Sequence, residues 1–372
     1  MRSRLVPSRL ALALLAPLAL VYACSEFKSA DDNPDAQTTE PADGATSDGP
    51  SASDDGGTRD ALAADTAPSD AKIDTGPPCD GPCPPELVGT SGGGAEHMIV
   101  DATNLYWFDV SGTATVRSCS KAGCPAGPTI LAEGAQTTGL ASDGTNLYWG
   151  DFTSGKIQRC AIAGCAKAPT AIAFGQTSVE GLTMDGNHLY WAASLDAGAI
   201  FTCTTPSCGT PVKLADNQGF VLSLGAEAST VFWATLSVPG QVSRCAAAGC
   251  ANTPGLVASA RAATIAVASG FVYFVDVNTK AIARCPTTGC VGPAPTIGTS
   301  LSPGVLASDG VEVFWRDNTD SNIYACPVGG CAGTGQRVVA TKQSVGSTGS
   351  LAVDGLYVYW STGSKVWRTA KR

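Results

Sequence analysis

Histidine is nearly missing from this chain, with only His97 and His188 among 372 residues. A zinc site would therefore be short of imidazole ligands. Basic side chains are outnumbered, 23 Lys and Arg against 32 Asp and Glu, for a net charge of −9. No basic stripe is present to neutralise phosphates, which argues against a nucleic-acid partner. No stretch is long and periodic enough for an amphipathic helix. The apolar run from Leu10 to Leu20, interrupted by Pro17, is too short to cross a bilayer as a permanent helix.

That run follows Arg2, Arg4 and Arg9 and precedes Cys24. Residues 1–23 read as an export signal, and its pattern resembles a bacterial lipoprotein signal, which implies lipidation of Cys24 and a membrane attachment through that lipid alone. Ser25 lacks the aspartate associated with inner-membrane retention in such lipoproteins, so the resemblance implies an outer-membrane lipoprotein, facing the periplasm or the surface. Residues 24–78 are rich in Asp, Ala, Ser, Thr, Pro and Gly, with Phe27 as their one aromatic. Such a composition cannot bury a core and is expected to remain a disordered, self-repelling tether spanning about 40 Å. Thirteen acidic and three basic side chains between residues 25 and 78, with the three leader arginines, leave residues 79–372 a net charge of about −2. The acidity thus belongs to the spacer and not to a charged binding face.

Residues 79–372 are built on a repeat of about forty-two residues. Its aromatic signature recurs as Leu105-Tyr106-Trp107, Leu147-Tyr148-Trp149, Leu189-Tyr190-Trp191, Val231-Phe232-Trp233, Val272-Tyr273-Phe274, Val313-Phe314-Trp315 and Val358-Tyr359-Trp360. Each copy offers four short strand-like runs separated by turn residues, and four strands repeated seven times predict an all-β, seven-bladed β-propeller. The seventh copy ends at Arg372 without a cysteine pair, and a matching pair, Cys79 and Cys83, stands before Leu87-Val88. The last blade is therefore expected to borrow its outer strand from the amino-terminal side. An aromatic at one place in every copy predicts packing between blades, with Phe274 replacing tryptophan in the fifth. The Asp-Gly pairs at Asp143, Asp185, Asp309 and Asp354 are turn chemistry, in which the carboxylate accepts a backbone N–H and glycine tolerates a positive φ.

The other cysteines pair at Cys119/Cys124, Cys160/Cys165, Cys203/Cys208, Cys245/Cys250, Cys285/Cys290 and Cys326/Cys331, always with four residues between them. Zinc knuckles favour shorter gaps, and an exported chain oxidises its thiols, so one hairpin disulfide per blade is predicted, including Cys79–Cys83. A four-residue hairpin loop would set the two cysteines opposite each other across strands three and four. Glycine before the second cysteine supplies the left-handed turn residue in five pairs, and Ser207 is the exception.

The run Leu147-Tyr148-Trp149-Gly150-Asp151 with Lys156-Ile157-Gln158-Arg159 resembles the extracellular YWTD repeat and the bacterial NHL-like propellers, above all lipoprotein propellers of Gram-negative soil bacteria. The resemblance implies an extracytoplasmic binding or scaffold module and brings no catalytic residue with it. In a propeller the loops between strands two and three share a face with the blade-to-blade crossovers. Those segments vary in this chain and carry Asp109, Asp151, Asp196, Asp276, Arg316, Asp317, Gln136, Gln176, Gln218 and Gln343, so this face is expected to meet a protein or glycan partner. His97 and His188 are expected on opposite faces. The chain thus reads as a monomeric, non-enzymatic envelope module with no cofactor. The alternatives are a purely structural surface protein, or a calcium-dependent hydrolase or lyase of the axial pocket using Glu133, Glu180 and Asp216 near the starts of inner strands.

Overall fold

The computed structural model describes residues 81–371 except 111, 135, 177, 194–196, 332–334 and 344–348. The leader, the tether, Cys24, Cys79 and Asp196 lie outside the described residues.

Among the described residues, seven separate four-stranded antiparallel sheets account for the 28 strands. The second blade is typical. Leu140–Ser142, Asn146–Asp151, Lys156–Ala161 and Thr170–Ala173 follow one another from the inner to the outer strand. The seventh blade takes its inner three strands from Leu351–Val353, Tyr357–Thr362 and Lys365–Ala370, and its outer strand is Glu86–Thr90 from the other end of the chain. Glu86 opposes Arg368 in this closure, and their side chains form an ion pair at 2.7 Å. Thr369, where a cysteine stands in the other third strands, donates its hydroxyl to the Cys83 carbonyl at 2.8 Å.

The aromatic signature explains why the sheets stack into a ring. Successive residues of a strand point to opposite sheet faces, so the tyrosine or phenylalanine of each signature faces one neighbouring blade and the tryptophan beside it faces the other. Tyr148 shares a core cluster with Trp191, Tyr190 with Trp233, Tyr273 with Trp315, and Tyr359 with Trp107. Phe232 meets Phe274 in the same way, so the phenylalanine fills the tryptophan's role at the fourth seam. The seven clusters fall one to each seam. Each Phe- or Leu-sized side chain buried there contributes about 1.5–3 kcal/mol.

The two faces are each sewn by backbone hydrogen bonds. On one, the third-to-fourth turns bond to the first-to-second turns, as in Ile162 N–H to Thr145 O at 2.9 Å and Ala247 N–H to Ser229 O at 2.8 Å. The Asp-Gly reading holds there, since Asp143 accepts the N–H groups of Thr145 and Asn146 and also the Tyr148 hydroxyl. The predicted pairs Cys119–Cys124, Cys160–Cys165, Cys203–Cys208, Cys245–Cys250, Cys285–Cys290 and Cys326–Cys331 are all bonded on the same face, with Cα separations of 4.9–5.5 Å. Cys83 is also disulfide-bonded.

The disulfide geometry corrects the cross-strand pair expected. The second cysteine does not stand on strand four. Cys165, Cys208 and Cys250 lie ahead of it, and their outer strands begin only at Thr170, Val212 and Gly255. A tight turn closed by a left-handed glycine brings the chain back before strand four starts. Gly164 has φ of 114° with its N–H on the Ala161 carbonyl, and Gly249 before Cys250 has φ of 106° with its N–H on that of Ala246. Where Ser207 replaces the glycine, Cys208 itself takes the left-handed conformation, φ 57°, and its N–H returns to the Thr204 carbonyl at 3.0 Å. The cysteine thus supplies the turn residue that its neighbour cannot.

The knuckle so formed belongs to the seam. The N–H groups of Cys124, Cys290 and Cys331 reach the carbonyls of Val88, Val257 and Ile297 in the preceding outer strands. The Sγ atoms of Cys165 and Cys250 lie 3.4 Å from the carbonyls of Leu131 and Leu214, again in the preceding outer strands. Arginines make a parallel clasp in the other direction, with Arg159, Arg244 and Arg368 donating to the carbonyls of Pro206, Thr287 and Lys121 in the next blade, and Arg284 to that of Val328.

Candidate functional site

The inner strands surround an axial channel. A cavity of about 350 Å³ there is lined by residues from the first six of them, from Ala95–Val100 in the first blade to Pro303–Ser308 in the sixth. The register explains what faces it. Leu140, Leu182, Leu224, Ile265, Leu306 and Leu351 pair with the signature tryptophans and with Phe274. In the first blade the pairing slips between Glu96 and Ile99, so that His97 and Met98 together face Trp107. Counting back one residue from this level gives His97, Gly139, Gly181, Ser223, Thr264, Val305 and Ser350. His97 is the single ionisable member of that ring, and it lines the channel with Gly139, Gly181, Ser223, Thr264 and Val305. One residue earlier stand Glu96 and Glu180, level with the channel-lining Thr138, Leu222 and Ala263.

His97 has a left-handed backbone, with φ of 50°, a conformation that costs a residue with a side chain about 1–2 kcal/mol. The seventh blade holds it there. The hydroxyl of Ser350 accepts the Met98 N–H at 2.7 Å, and the Ser361 hydroxyl accepts the Ser350 N–H while donating to the Ala95 carbonyl. Strain maintained by surrounding hydrogen bonds is a recurrent property of functional positions. About 36% of the His97 side chain remains open, and the side chain lines the channel. Burial by the surrounding wall lowers its pKa from 6.5 to about 4. The imidazole is therefore neutral at pH 7, and the Glu96 carboxylate 3.9 Å from Nε2 is placed to stabilise an imidazolium once one forms. Burial acts in the opposite sense on Glu180 and raises its pKa.

The residues expected on the partner face are largely turned inward. Asp109, Asp151 and Asp317 are 0%, 7% and 2% exposed. Asp109 accepts the N–H groups of Gly92 and Gly93 and pairs with Arg117 at 3.0 Å. Asp151 caps its own loop through the N–H groups of Thr153 and Ser154, and Asp317 accepts those of Leu301 and Thr319. Asp276 does the same for Asn278. Gln176, Gln218 and Gln343 each accept the indole N–H of the tryptophan in the following signature, at 3.1–3.2 Å. Gln136 instead accepts the Thr153 hydroxyl, and the Trp149 indole N–H has no partner among the described residues. Arg316 is 3% exposed, donates Nε and Nη2 to Asn318, and has no partner for Nη1 among the described residues.

The proposed calcium set does not assemble. Glu133 and Asp216 end outer strands and pair with Lys167 and Lys213, whereas Glu180 alone belongs to an inner strand. Because each of the first two ends an outer strand, the width of its sheet separates it from the axis. Among the described residues no group of three or more His, Cys, Asp or Glu side chains is placed to hold a metal ion. His188 begins the second strand of the third blade, at the turn end of the sheet, where its ring stacks near Tyr190.

No protein-family model matches the chain, and no curated protein matches it in sequence. Its fold is nevertheless matched by solved structures. Virginiamycin B lyase from Staphylococcus aureus aligns with a TM-score of 0.63 at 12% identity, over 78% of this chain and 99% of that one. A catalytically inactive histidine-to-alanine variant of that lyase, with quinupristin, gives 0.60 at 13% identity over 78% and 99%. A streptogramin B lyase gives 0.61 at 14% identity over 77% and 97%. At these identities the likeness establishes a shared fold. It also corrects the expectation of a non-enzymatic binding or scaffold module, and of no enzyme at all. That expectation treated the lack of a catalytic signature in the repeat as the mark of a scaffold, yet the matched rings of nearly the same extent are enzymes.

Proposed function

We propose that this chain is a lyase-type enzyme whose chemistry takes place in the axial channel, with His97 as the proton acceptor. The observation that carries the reading is the channel-facing imidazole of His97, held in a strained backbone and kept neutral by burial. Its support from likeness is that the matched propellers are lyases and that one of them is inactive without a histidine.

In an elimination the base removes a proton from a carbon next to the bond that breaks. The electron pair of that C–H bond becomes a double bond, and the leaving group departs with the electrons of its own bond and takes up a proton. A neutral imidazole is competent for the first step at neutral pH, and the Glu96 carboxylate stabilises the charge it then acquires. Glu180 stands at the matching register of the third blade with its pKa raised by burial, and it is the side chain we assign to the leaving group. Glycine at positions 139 and 181 lets the inner strands approach closely around the channel, since a Cβ there would stand 2.6 Å from Leu182 N and from Leu224 Cδ1 of the next blade.

The test is turnover of quinupristin by the oxidised protein, followed by mass spectrometry. A lyase gives products whose summed mass equals that of the substrate, whereas hydrolysis adds the mass of water. His97→Ala is expected to lower kcat at least about a hundredfold while the chain stays folded. Products carrying added water, or equal turnover by wild type and His97→Ala, would rule the assignment out.

A further inference from the structure

We propose that a second cavity, between the first and second blades, is the subsite for an uncharged aromatic or branched apolar group of the substrate. This deepens the reading above and rests on it, because the reacting part of the same molecule would occupy the axial channel.

The cavity measures about 400 Å³, and its walls include Phe108, Val110, Ala114, Thr137, Thr138 and Phe152. That volume is in the range of small-molecule sites. Its floor is peculiar to the first blade. Phe108 follows the signature tryptophan, at the position filled in the other blades by Gly150, Ala192, Ala234, Val275, Arg316 and Ser361, and it is 5% exposed. The rim is apolar but not covered, since Val110 and Phe152 are 42% and 41% exposed. Two large apolar side chains left open over an aromatic floor mark a place where apolar surface is to be removed from water.

Charge is missing from this cavity. Among the described residues no ionisable side chain lines it, and the nearby carboxylates of Asp109 and Asp151 are buried and committed to loop N–H groups. An ionic group would lose its hydration with nothing to replace it, which selects for a neutral occupant. Thr138 forms part of both the cavity and the axial channel. Its hydroxyl is fixed, donating to the Val179 carbonyl at 2.7 Å and accepting the Gly181 N–H at 3.2 Å. One rigid side chain thus partitions the two spaces, and a single ligand can place a group on either side of it.

The experiment titrates N-acetylphenylalaninamide, with N-acetylglycinamide as control, into the full-length oxidised protein by ligand-observed NMR. The aromatic amide is expected to bind and the glycine amide not to. Phe152→Ser and the plugging variant Ala114→Trp should each weaken binding about fivefold or more, while His97→Ala leaves it unchanged. With a substrate that is turned over, Phe152→Ser should raise KM and leave kcat unchanged. Undiminished binding in both cavity variants overturns the subsite even if the enzyme is active. Binding lost in both variants without any turnover supports the subsite and removes only the assigned reaction. Because Phe152 is at the rim, Phe152→Ser keeps the test meaningful should Ala114→Trp fail to fold.

Discussion

A histidine in an unfolded chain takes up its proton near pH 6.5, whereas His97 in the folded ring resists protonation down to about 4. Between those values the unfolded state binds more protons than the native one. Folding therefore weakens as the pH falls from about 6.5 to about 4, with no further loss from this group below that. His97→Gln removes the effect, so the urea midpoint of wild type relative to the variant should decline across that interval; a constant difference would mean that His97 titrates normally in the fold. Of the candidate site, the sequence placed His97 only on the opposite face from His188, offered Glu180 only as a carboxylate near an inner strand, and did not single out Glu96. The rest depends on pairing. The slip that sets His97 and Met98 against Trp107 is a bulge within one hairpin, and the Ser350 hydroxyl that fixes it reaches across 252 residues of chain; no local pattern announces either. Arg316 is a comparable case. At the start of a predicted loop an arginine reads as a surface cation, but Arg316 lies within the strand Glu312–Asp317, and a Cβ on Gly349 would stand 1.9 Å from its Nη1, so the seventh blade makes room for a buried one.

The element that repeats most faithfully is the second strand, and its two aromatics do different work at two seams. The hydrogen bond from the indole is what varies. Trp233 gives its N–H to Gln218 at 3.2 Å, whereas that of Trp149 is buried without a partner among the described residues. Trp233→Phe leaves the Gln218 carbonyl oxygen unsatisfied, while Trp149→Phe removes an N–H that already lacks an acceptor. The first is expected to cost more than the second by about 1 kcal/mol in chemical denaturation. Equal costs would show that the glutamine contact contributes nothing. Strand number, order and the seam role of the tryptophans were all readable from the forty-two-residue period, because alternation and turn residues are local properties. The cysteine hairpins were legible as pairs and less so as geometry. A gap of four suits a cross-strand bridge, but a left-handed residue at the end of the loop, Gly249 before Cys250 or Cys208 itself, folds it into a knuckle ahead of strand four. That knuckle reaches the neighbouring blade, a contact no single repeat can reveal.

For the molecule as a whole, stability depends on a ring with no open edge. Removing residues 81–90 takes away the outer strand of the seventh blade, bares the Lys365–Ala370 strand and uncovers Trp107 and Val366, which pack around Val88. The truncated protein is expected to melt at lower temperature and to self-associate, measurable by calorimetry and light scattering; a monomer of unchanged Tm would show that the ring does not need its closure. Function was the least readable level. The propeller shape serves scaffolds and lyases alike, and the distinguishing side chains are a handful among many near-identical blades.

The shared seventh blade also constrains how such a ring could ever have changed size. The outer strand Glu86–Thr90 closes whichever blade comes last, so an added repeat next to the seam would give its outer strand to the old last blade and take Glu86–Thr90 for its own. The obstacle to enlargement is therefore angular and not one of pairing, since every wedge would have to reset its angle to its neighbours at once.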